Sequence, residues 1–355
     1  MDFEIAVTDA ILVTDTASRH YGFPRMVRAC NRDLLLFYRA GTTHAYDDAV
    51  IEMRRSTDDG ASWSGARILR RCEAGFSAHN PVAIVTASGR VILWASRYQY
   101  GPNLRHPCWW STSDDNGATW SEWTVFDPSQ QHSCYYITDV IHTSEGILAS
   151  DATFPPSGQG ACHTRIQFSA DDGLTWAWRS NLTSPASNLG DEAALMETEP
   201  GRILCIQRDR QRADSFRLWS GDGGRTWSAR ESIREMLDCT LQRPFLTHLG
   251  ETAYLLSGRD FERKLTVVYL SVDGGQTFGE RLEVDSHQKD GAYTSAIRLD
   301  SPRLDSPRLD SPRLGSTECL IAWYSDSHTR PLLPDIKMAK VIGKNRLEDE
   351  RSDRP

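Results

Sequence analysis

Three stretches of this 355-residue chain concentrate side chains able to do chemistry. Residues 191–208 (DEAALMETEPGRILCIQR) carry Glu192 near the start and Arg208 at the end of an apolar run. The Glu199-Pro200-Gly201 turn between them joins two strands, so Glu192 and Arg208 fall on neighbouring strands at similar heights. Residues 290–299 (DGAYTSAIRL) hold Tyr293, and residues 37–60 (FYRAGTTHAYDDAVIEMRRSTDDG) hold Arg39, His44, Asp47 and Asp48. A free phenol has a pKa near ~10, so it becomes a nucleophile only with a base in contact. A guanidinium matches a carboxylate in both charge and geometry. Arginine alone is weak evidence here, because 35 of the 40 basic residues are arginine and only Lys264, Lys289, Lys337, Lys340 and Lys344 are lysine. Position has to carry the argument.

Other chemistries find no support in the spacing. The ten histidines are dispersed, with no HExxH and no His/Cys ligand spacing. There is no phosphate-cradling glycine loop and no serine elbow. No metal or cofactor is expected.

The elements that must position these residues are announced by a repeat. The pattern Ser-x-Asp-x-Gly-x-x-Trp/Phe starts at Ser56, Ser113, Ser169, Ser220 and Ser271, at steps of 57, 56, 51 and 51 residues. So regular a period marks the blades of a β-propeller. Ser and Asp side chains close a tight turn, Gly supplies the backbone conformation other residues resist, and the closing aromatic (Trp63, Trp120, Trp176, Trp227, Phe278) packs between blades. The aspartates of the repeat are turn formers on the rim and poor catalytic candidates. Short β-rich runs such as DLLLFYR (33–39), RVILWAS (90–96) and LTVVYLS (265–271) fill the gaps. A sixth, unmarked blade is expected over about residues 290–342 with a strand near Ile11–Val13, closing the ring from both chain ends. The expected fold is all-β: one six-bladed propeller of four-stranded antiparallel blades over residues 1–355. The threefold LDSPR tandem within 299–315 reads as a lengthened, solvated loop, and 344–355 as a polar C-terminal tail.

The repeat resembles the Asp-box of the sialidase (neuraminidase) superfamily, a resemblance that covers most of the chain for fold and four short segments for mechanism. Sialidases cleave a terminal sialic acid, whose anomeric carbon bears a carboxylate, and use a Tyr nucleophile in place of a second carboxylate. Residues 191–208 are similar to the family's Asn-Glu … Gly-Arg-Leu-Leu … Arg stretch, which implies Glu192 as the base and Arg208 as one arm of a carboxylate clamp. DGAYTSAIRL followed by LIAWYS is similar to the family's Ala-Tyr-Ser … Leu-Tyr-Glu, which implies Tyr293 as the nucleophile; Ser325 stands where the family has its closing Glu. Residues 37–60 resemble the family's first-blade stretch, which implies Arg39 in the pocket and Asp47 or Asp48 as acid/base, Asp47 being preferred, with His44 able to replace or assist them. The family's Phe/Tyr-Arg-Ile-Pro is Tyr21-Gly22-Phe23-Pro24-Arg25 here, so Gly22 occupies the place of the first clamp arginine. Arg25 would need a bulge to reach the pocket; Arg39 is the other substitute. For the last arm the candidates are Arg243, Arg259 and Arg263, with Arg259 favoured. Asn80-Pro81-Val82 is similar to the family's Gly-Asn-Pro-x-Pro-Val and supports the fold.

The resemblance implies an exo-acting, retaining glycoside hydrolase acting on a sialoside or another glycan. Two alternatives stay open: a related propeller glycosidase for another terminal sugar or uronic acid, and a non-catalytic glycan-binding propeller. The net charge of −8 argues against nucleic acid, and an anionic substrate would need a local cationic pocket. The N-terminus carries no basic n-region and no apolar run approaches the length of a membrane span, from which a cytoplasmic, membrane-free location is expected. The eight cysteines are scattered without a CxxC pair and read as small buried hydrophobes.

Overall fold

A computed structural model describes residues 3–14, 19–44, 48–73, 75–102, 104–128, 134–153, 162–184, 188–299 and 317–345. It is a six-bladed propeller of antiparallel sheets. Blade I comprises His20–Arg28, Leu34–Gly41, Val50–Ser56 and Arg67–Arg70, running from the axis outwards. Blades II to V follow the same order, with innermost strands Ser77–Val85, Tyr136–Thr143, Ala193–Glu199 and Leu241–Gly250. Blade VI runs Gly291–Arg298, Thr317–Ser327 and Arg330–Asn345, and its outermost strand is Phe3–Val7 from the other end of the chain. Each innermost strand touches the next, and that of blade VI meets that of blade I, so the ring is closed. Closure comes from both termini, as the sequence implies, but chiefly through Phe3–Val7; Ile11–Leu12 adds two residues paired to Lys337 and Met338. Residues 300–316, which hold all of the LDSPR tandem but Leu299, and the tail from 346 lie outside the described residues.

The repeated turns follow directly from their residue types. In the first, the Ser56 hydroxyl donates to Asp58 Oδ1 (2.7 Å) and accepts the Gly60 N–H (2.8 Å). Asp58 then accepts the Ser62 N–H (2.9 Å) and hydroxyl (2.5 Å). These donors hold the carboxyl of Asp58 down at about 2, and those of Asp115, Asp171 and Asp222 likewise. At the tip, two successive residues take positive φ, Asp59 (54°) and Gly60 (87°), and the pairs Asn116-Gly117, Asp172-Gly173, Gly223-Gly224 and Gly274-Gly275 do the same. Asp-Gly, Asn-Gly and Gly-Gly are the pairs such a turn admits.

The glycine has a second duty. A Cβ added at Gly60 would lie 2.4 Å from Leu320 of blade VI, at Gly117 2.8 Å from Leu35 of blade I, at Gly173 2.4 Å from Ile92 of blade II, and at Gly275 2.5 Å from Leu204 of blade IV. Each turn therefore seats the aliphatic side chain of the preceding blade's second strand on bare backbone. The closing aromatics pack against the cores between blades, Trp176 beside Trp94 and Phe126, and Phe278 beside Leu204 and Tyr269.

Gly173→Ala combines a strained backbone with a clash against Ile92 and is expected to lower the unfolding free energy by about 2–4 kcal/mol. Gly65→Ala, where a Cβ meets nothing within 4 Å, is expected to stay within about 0.5 kcal/mol. Urea unfolding of the two variants checks both.

Candidate active site

The innermost strands do not run straight. The register skips at Gly22/Arg25, His79/Val82, Ile137/Asp139, Gln242/Phe245 and Gly291/Thr294. At four of these bulges one residue takes positive φ: Phe23 (58°), Asn80 (42°), Arg243 (48°) and Ala292 (74°). In blades I, II and V the next residue is proline, which has no N–H to offer the ladder. A bulge re-aims a side chain; here Phe23, Asn80, Tyr136 and Tyr293 line a cavity of about 430 Å³.

One end of the cavity is a chain of hydrogen bonds. Arg208 pairs with Glu192 through Nη1 and Oε2 (2.7 Å), and the same Nη1 donates to the Tyr293 hydroxyl (3.2 Å). The Tyr136 hydroxyl donates to Glu192 Oε1 (2.7 Å) and accepts from Arg243 Nη1 (2.6 Å), which lies 3.7 Å from Glu192 Oε1. The strand pairing places Glu192 and Arg208 side by side, with Ala193 opposite Gln207 and the Arg208 N–H on the Glu192 carbonyl at 2.9 Å. Burial alone would push the Glu192 carboxyl up; the Arg208 and Arg243 guanidiniums and the Tyr136 hydroxyl outweigh it and hold it lowered. Burial, reinforced by the Glu192 charge, pushes the Tyr293 phenol up to about 12. Burial raises the neighbouring carboxyl of Asp191 despite Arg208.

The other end is built by blades I and VI. His20 Nε2 and His44 Nδ1 both meet Asp290 Oδ2 at 2.7 Å, and the Tyr324 hydroxyl reaches Oδ1 at 3.3 Å. Phe23 separates the two ends, its ring 5.3 Å from that of His44 and 5.4 Å from that of Tyr293.

The remaining arginines are distributed as follows. Arg25 is buried in the hub and donates to Asp139 (3.1 Å) and to the carbonyls of Ala83 and Val140. The bulge it needs is present, yet its guanidinium turns away from the cavity lining. Arg39 is fully buried, donating to the Thr43 carbonyl (2.6 Å) and to His20 Nδ1 (3.2 Å). Arg263 sits on the rim with Asp238 (2.8 Å) and Asp260 (3.0 Å). Arg259 packs against Phe261, has no ion pair or hydrogen bond among the described residues, and exerts its field on Tyr293 and Tyr324. Asp48 is tied into its own loop, both carboxylate oxygens accepting the Thr42 N–H at 3.1 Å. Asp47 lies outside the described residues. At Gly22, a Cβ would stand 3.0 Å from His20 and 3.4 Å from Tyr324, so these two rings fill the space beside the missing arginine. Ser325, at the place of the family's closing Glu, hydrogen-bonds Asp285 (2.7 Å).

A family model described as a BNR repeat-like domain matches residues 13–305. The chain belongs to this BNR-repeat family, within the sialidase superfamily. A sialidase from Paraclostridium sordellii is 24% identical to it over 250 residues, 62% of this chain and 60% of that protein. The chain thus spans less than two thirds of that sialidase. Among solved structures, a protein of unknown function from Dyadobacter fermentans superposes with a TM-score of 0.77 over 96% of this chain and 99% of its own, at 15% identity. NanB sialidase from Streptococcus pneumoniae superposes with a TM-score of 0.68 over 95% and 71%, at 13% identity. Likeness at such identities speaks for the fold.

Several residues of the BNR-repeat protein's cavity region escape a reading of the sequence. Tyr136, His20, His79, Asp290 and Tyr324 come from four blades, and no spacing joins them. Asp290 and Tyr324 lie within the stretches DGAYTSAIRL and LIAWYS themselves, which is the one signal the sequence offers for them. Five arginines (97, 105, 208, 210 and 212) against Asp191 and Glu192 make the lining locally cationic in a chain of net charge −8.

Two stability outcomes follow from the buried charges. Asp139→Ala strands Arg25 and is expected to cost about 3–5 kcal/mol, measured by urea unfolding. The lowered carboxyl of Glu192 contributes stability that is fully present above its unfolded value of about 4.3 and is lost as pH falls through the folded value. Glu192→Gln should therefore melt lower at pH 7 and show a flatter decline of Tm below about pH 4.3 than the parent.

Proposed function

We propose that this BNR-repeat protein is an exo-acting glycoside hydrolase of sialidase type, cleaving a terminal acidic sugar with retention through a Tyr293 intermediate. The observation that carries this reading is the Tyr293–Arg208–Glu192 chain lining the cavity, one guanidinium 3.2 Å from a phenol of blade VI and 2.7 Å from a carboxylate of blade IV. Glu192, held ionised, is the base. In the unliganded site Arg208 stands between it and the phenol. A substrate carboxylate that takes up the Arg208 guanidinium frees Glu192 and Tyr293 to meet, and catalytic contacts commonly tighten in this way on binding. The phenolate attacks the anomeric carbon, an acid from the 42–48 loop protonates the departing oxygen, and the same group then activates water. Arg208, Arg243 and the unpaired Arg259 are the cations whose charge acts on Tyr293, and they supply the carboxylate grip.

Gly22 favours a second reading on the same scaffold, a glycosidase for another terminal sugar or a uronic acid. The family's first clamp arginine is missing, and the His20 and Tyr324 rings occupy the adjoining space, which weakens selection for a carboxylate on the anomeric carbon. A panel of fluorogenic α-sialosides, uronides and neutral glycosides separates the two. Turnover of sialosides is the expected result, with Tyr293→Phe losing on the order of 10³-fold or more in kcat. Turnover confined to uronides or neutral sugars selects the second reading. Activity unaffected by Tyr293→Phe would sink the tyrosine mechanism.

A further inference from the structure

We infer that His44, aimed by Asp290, is the proton-transferring acid/base of the cavity, in place of an aspartate of the same loop; this rests on the glycosidase reading above. The argument starts at Arg39. A guanidinium only donates, so the contact from Arg39 Nη1 to His20 Nδ1 at 3.2 Å makes that nitrogen an acceptor. The His20 proton then resides on Nε2 and is donated to Asp290 Oδ2 at 2.7 Å. Asp290 is an acceptor in turn, its carboxyl held well below the usual range because the hydrogen bonds and charges of His20 and His44 outweigh burial. The nitrogen of His44 that meets it at 2.7 Å, Nδ1, therefore carries a proton, which leaves Nε2 as the nitrogen available for exchange.

The surroundings single out His44 among the groups near Asp290. Its side chain is 44% exposed and lines the cavity with Tyr293 and Glu192, whereas His20 is fully buried. Among the described residues, the titratable and charged groups around it are Asp290, His20, His79, Arg39 and Tyr100. Burial lowers the pKa of both His20 and His79, which keeps them neutral. His79 lines the same cavity wall. Backbone contacts fix the loop on both sides of the imidazole: Tyr100 donates to the His44 carbonyl at 3.0 Å and Arg39 to that of Thr43 at 2.6 Å. Asp48 is engaged by Thr42.

The donor atoms of His20, His44 and Asp290 lie within 4.8 Å of one another, a spacing that would also suit a metal ion. The Arg39 contact decides against it. A metal-bound His20 Nε2 has no proton, and with Nδ1 accepting from Arg39 the ring would have to be an anion.

In the reaction His44 starts as the imidazolium, with a proton from solvent on Nε2 beside the one on Nδ1. The Nε2 proton passes to the glycosidic oxygen as its bond to the anomeric carbon breaks and the electron pair goes to oxygen, while the Tyr293 oxygen bonds to that carbon and the phenol proton goes to Glu192. In the second step Nε2 takes a proton from water, the water oxygen bonds to the anomeric carbon, and Tyr293 leaves as phenolate and recovers its proton from Glu192.

The test compares two glycosides of one sugar, a nitrophenyl glycoside whose leaving group needs little protonation and an alkyl glycoside that needs it fully. His44→Gln is expected to lose about 10²–10⁴-fold in kcat/KM on the alkyl glycoside and less than about tenfold on the nitrophenyl glycoside. An equal loss on both, or no loss, overturns the assignment. Independently of activity, ¹⁵N-histidine NMR of the parent should show a proton on His20 Nε2 and on His44 Nδ1, with the His44 Nδ1 signal displaced in Asp290→Asn. A His44 proton confined to Nε2, or loss of the His20 Nε2 proton on adding zinc ions alone, overturns the dyad. If the parent turns over no glycoside, the proposed function fails, and the NMR result still decides the His44–Asp290 arrangement.

Discussion

Charge buried at the hub has to be compensated, and that constraint shapes most of what lies around the axis. A guanidinium or carboxylate taken out of water costs several kcal/mol unless a partner is fixed beside it. Arg25 meets Asp139, Arg208 and Arg243 share Glu192, and Asp290 gathers two histidines and a tyrosine. Each set draws its partners from at least two blades. The Asp290 set spans the junction of the last blade with the first, so that end of the site depends on the whole circuit of the chain, including the strand Phe3–Val7 that completes blade VI.

The rim satisfies a different constraint. Six sheets must lie face to face around one axis, and each outer turn must neither gape nor collide with its neighbour. The repeated turn does this with the small set of residues already described, its glycine receiving an aliphatic side chain from the preceding blade. The rim is rigid and chemically dull. The inner strands, freed from regular pairing at their bulges, carry the chemistry. That division explains why the five aspartates most conspicuous in the sequence lie away from the cavity, while Asp290, in no repeat, lies beside it.

How much of this could be read from the sequence follows from the range of the interactions. The turns are local, so Ser56 to Trp63 announces its own geometry, and five copies fix the architecture. Glu192 and Arg208 are joined by one hairpin, and their adjacency is legible for that reason. Tyr293 enters only through family resemblance. The partnership of His20, His44 and Asp290 spans the ring closure and leaves no trace in spacing. The fate of Arg25 was equally hidden. The bulge at Phe23-Pro24 could be anticipated from the odd offset, but the pull of Asp139, more than a hundred residues away, could not. Arg39 was legible as an inward arginine, though its partners, His20 and the Thr43 carbonyl, make it a support for the loop above it.

The missing arginine at Gly22 and the histidine cluster are two sides of one local arrangement. A glycine is what permits His20 and Tyr324 to approach the inner strand at this height, since a Cβ there would press on both. Tyr324 and His20 are also the two groups that, with His44, bind Asp290. Restoring a side chain at Gly22 would displace the rings that hold the carboxylate, and removing the carboxylate would leave two histidines without their common partner. The cavity therefore has two ends of unlike character: guanidiniums around a phenol at one, and imidazoles around an aspartate at the other, with the Phe23 ring between them. Cations at the first end attract an anion that the chain's overall charge of −8 does not. The second end presents the His44 imidazole to the cavity. The glycosidase reading proposed above needs both ends at once, an anion-binding wall and an imidazole facing each other across one ring, and their residues come from blades I, IV, V and VI.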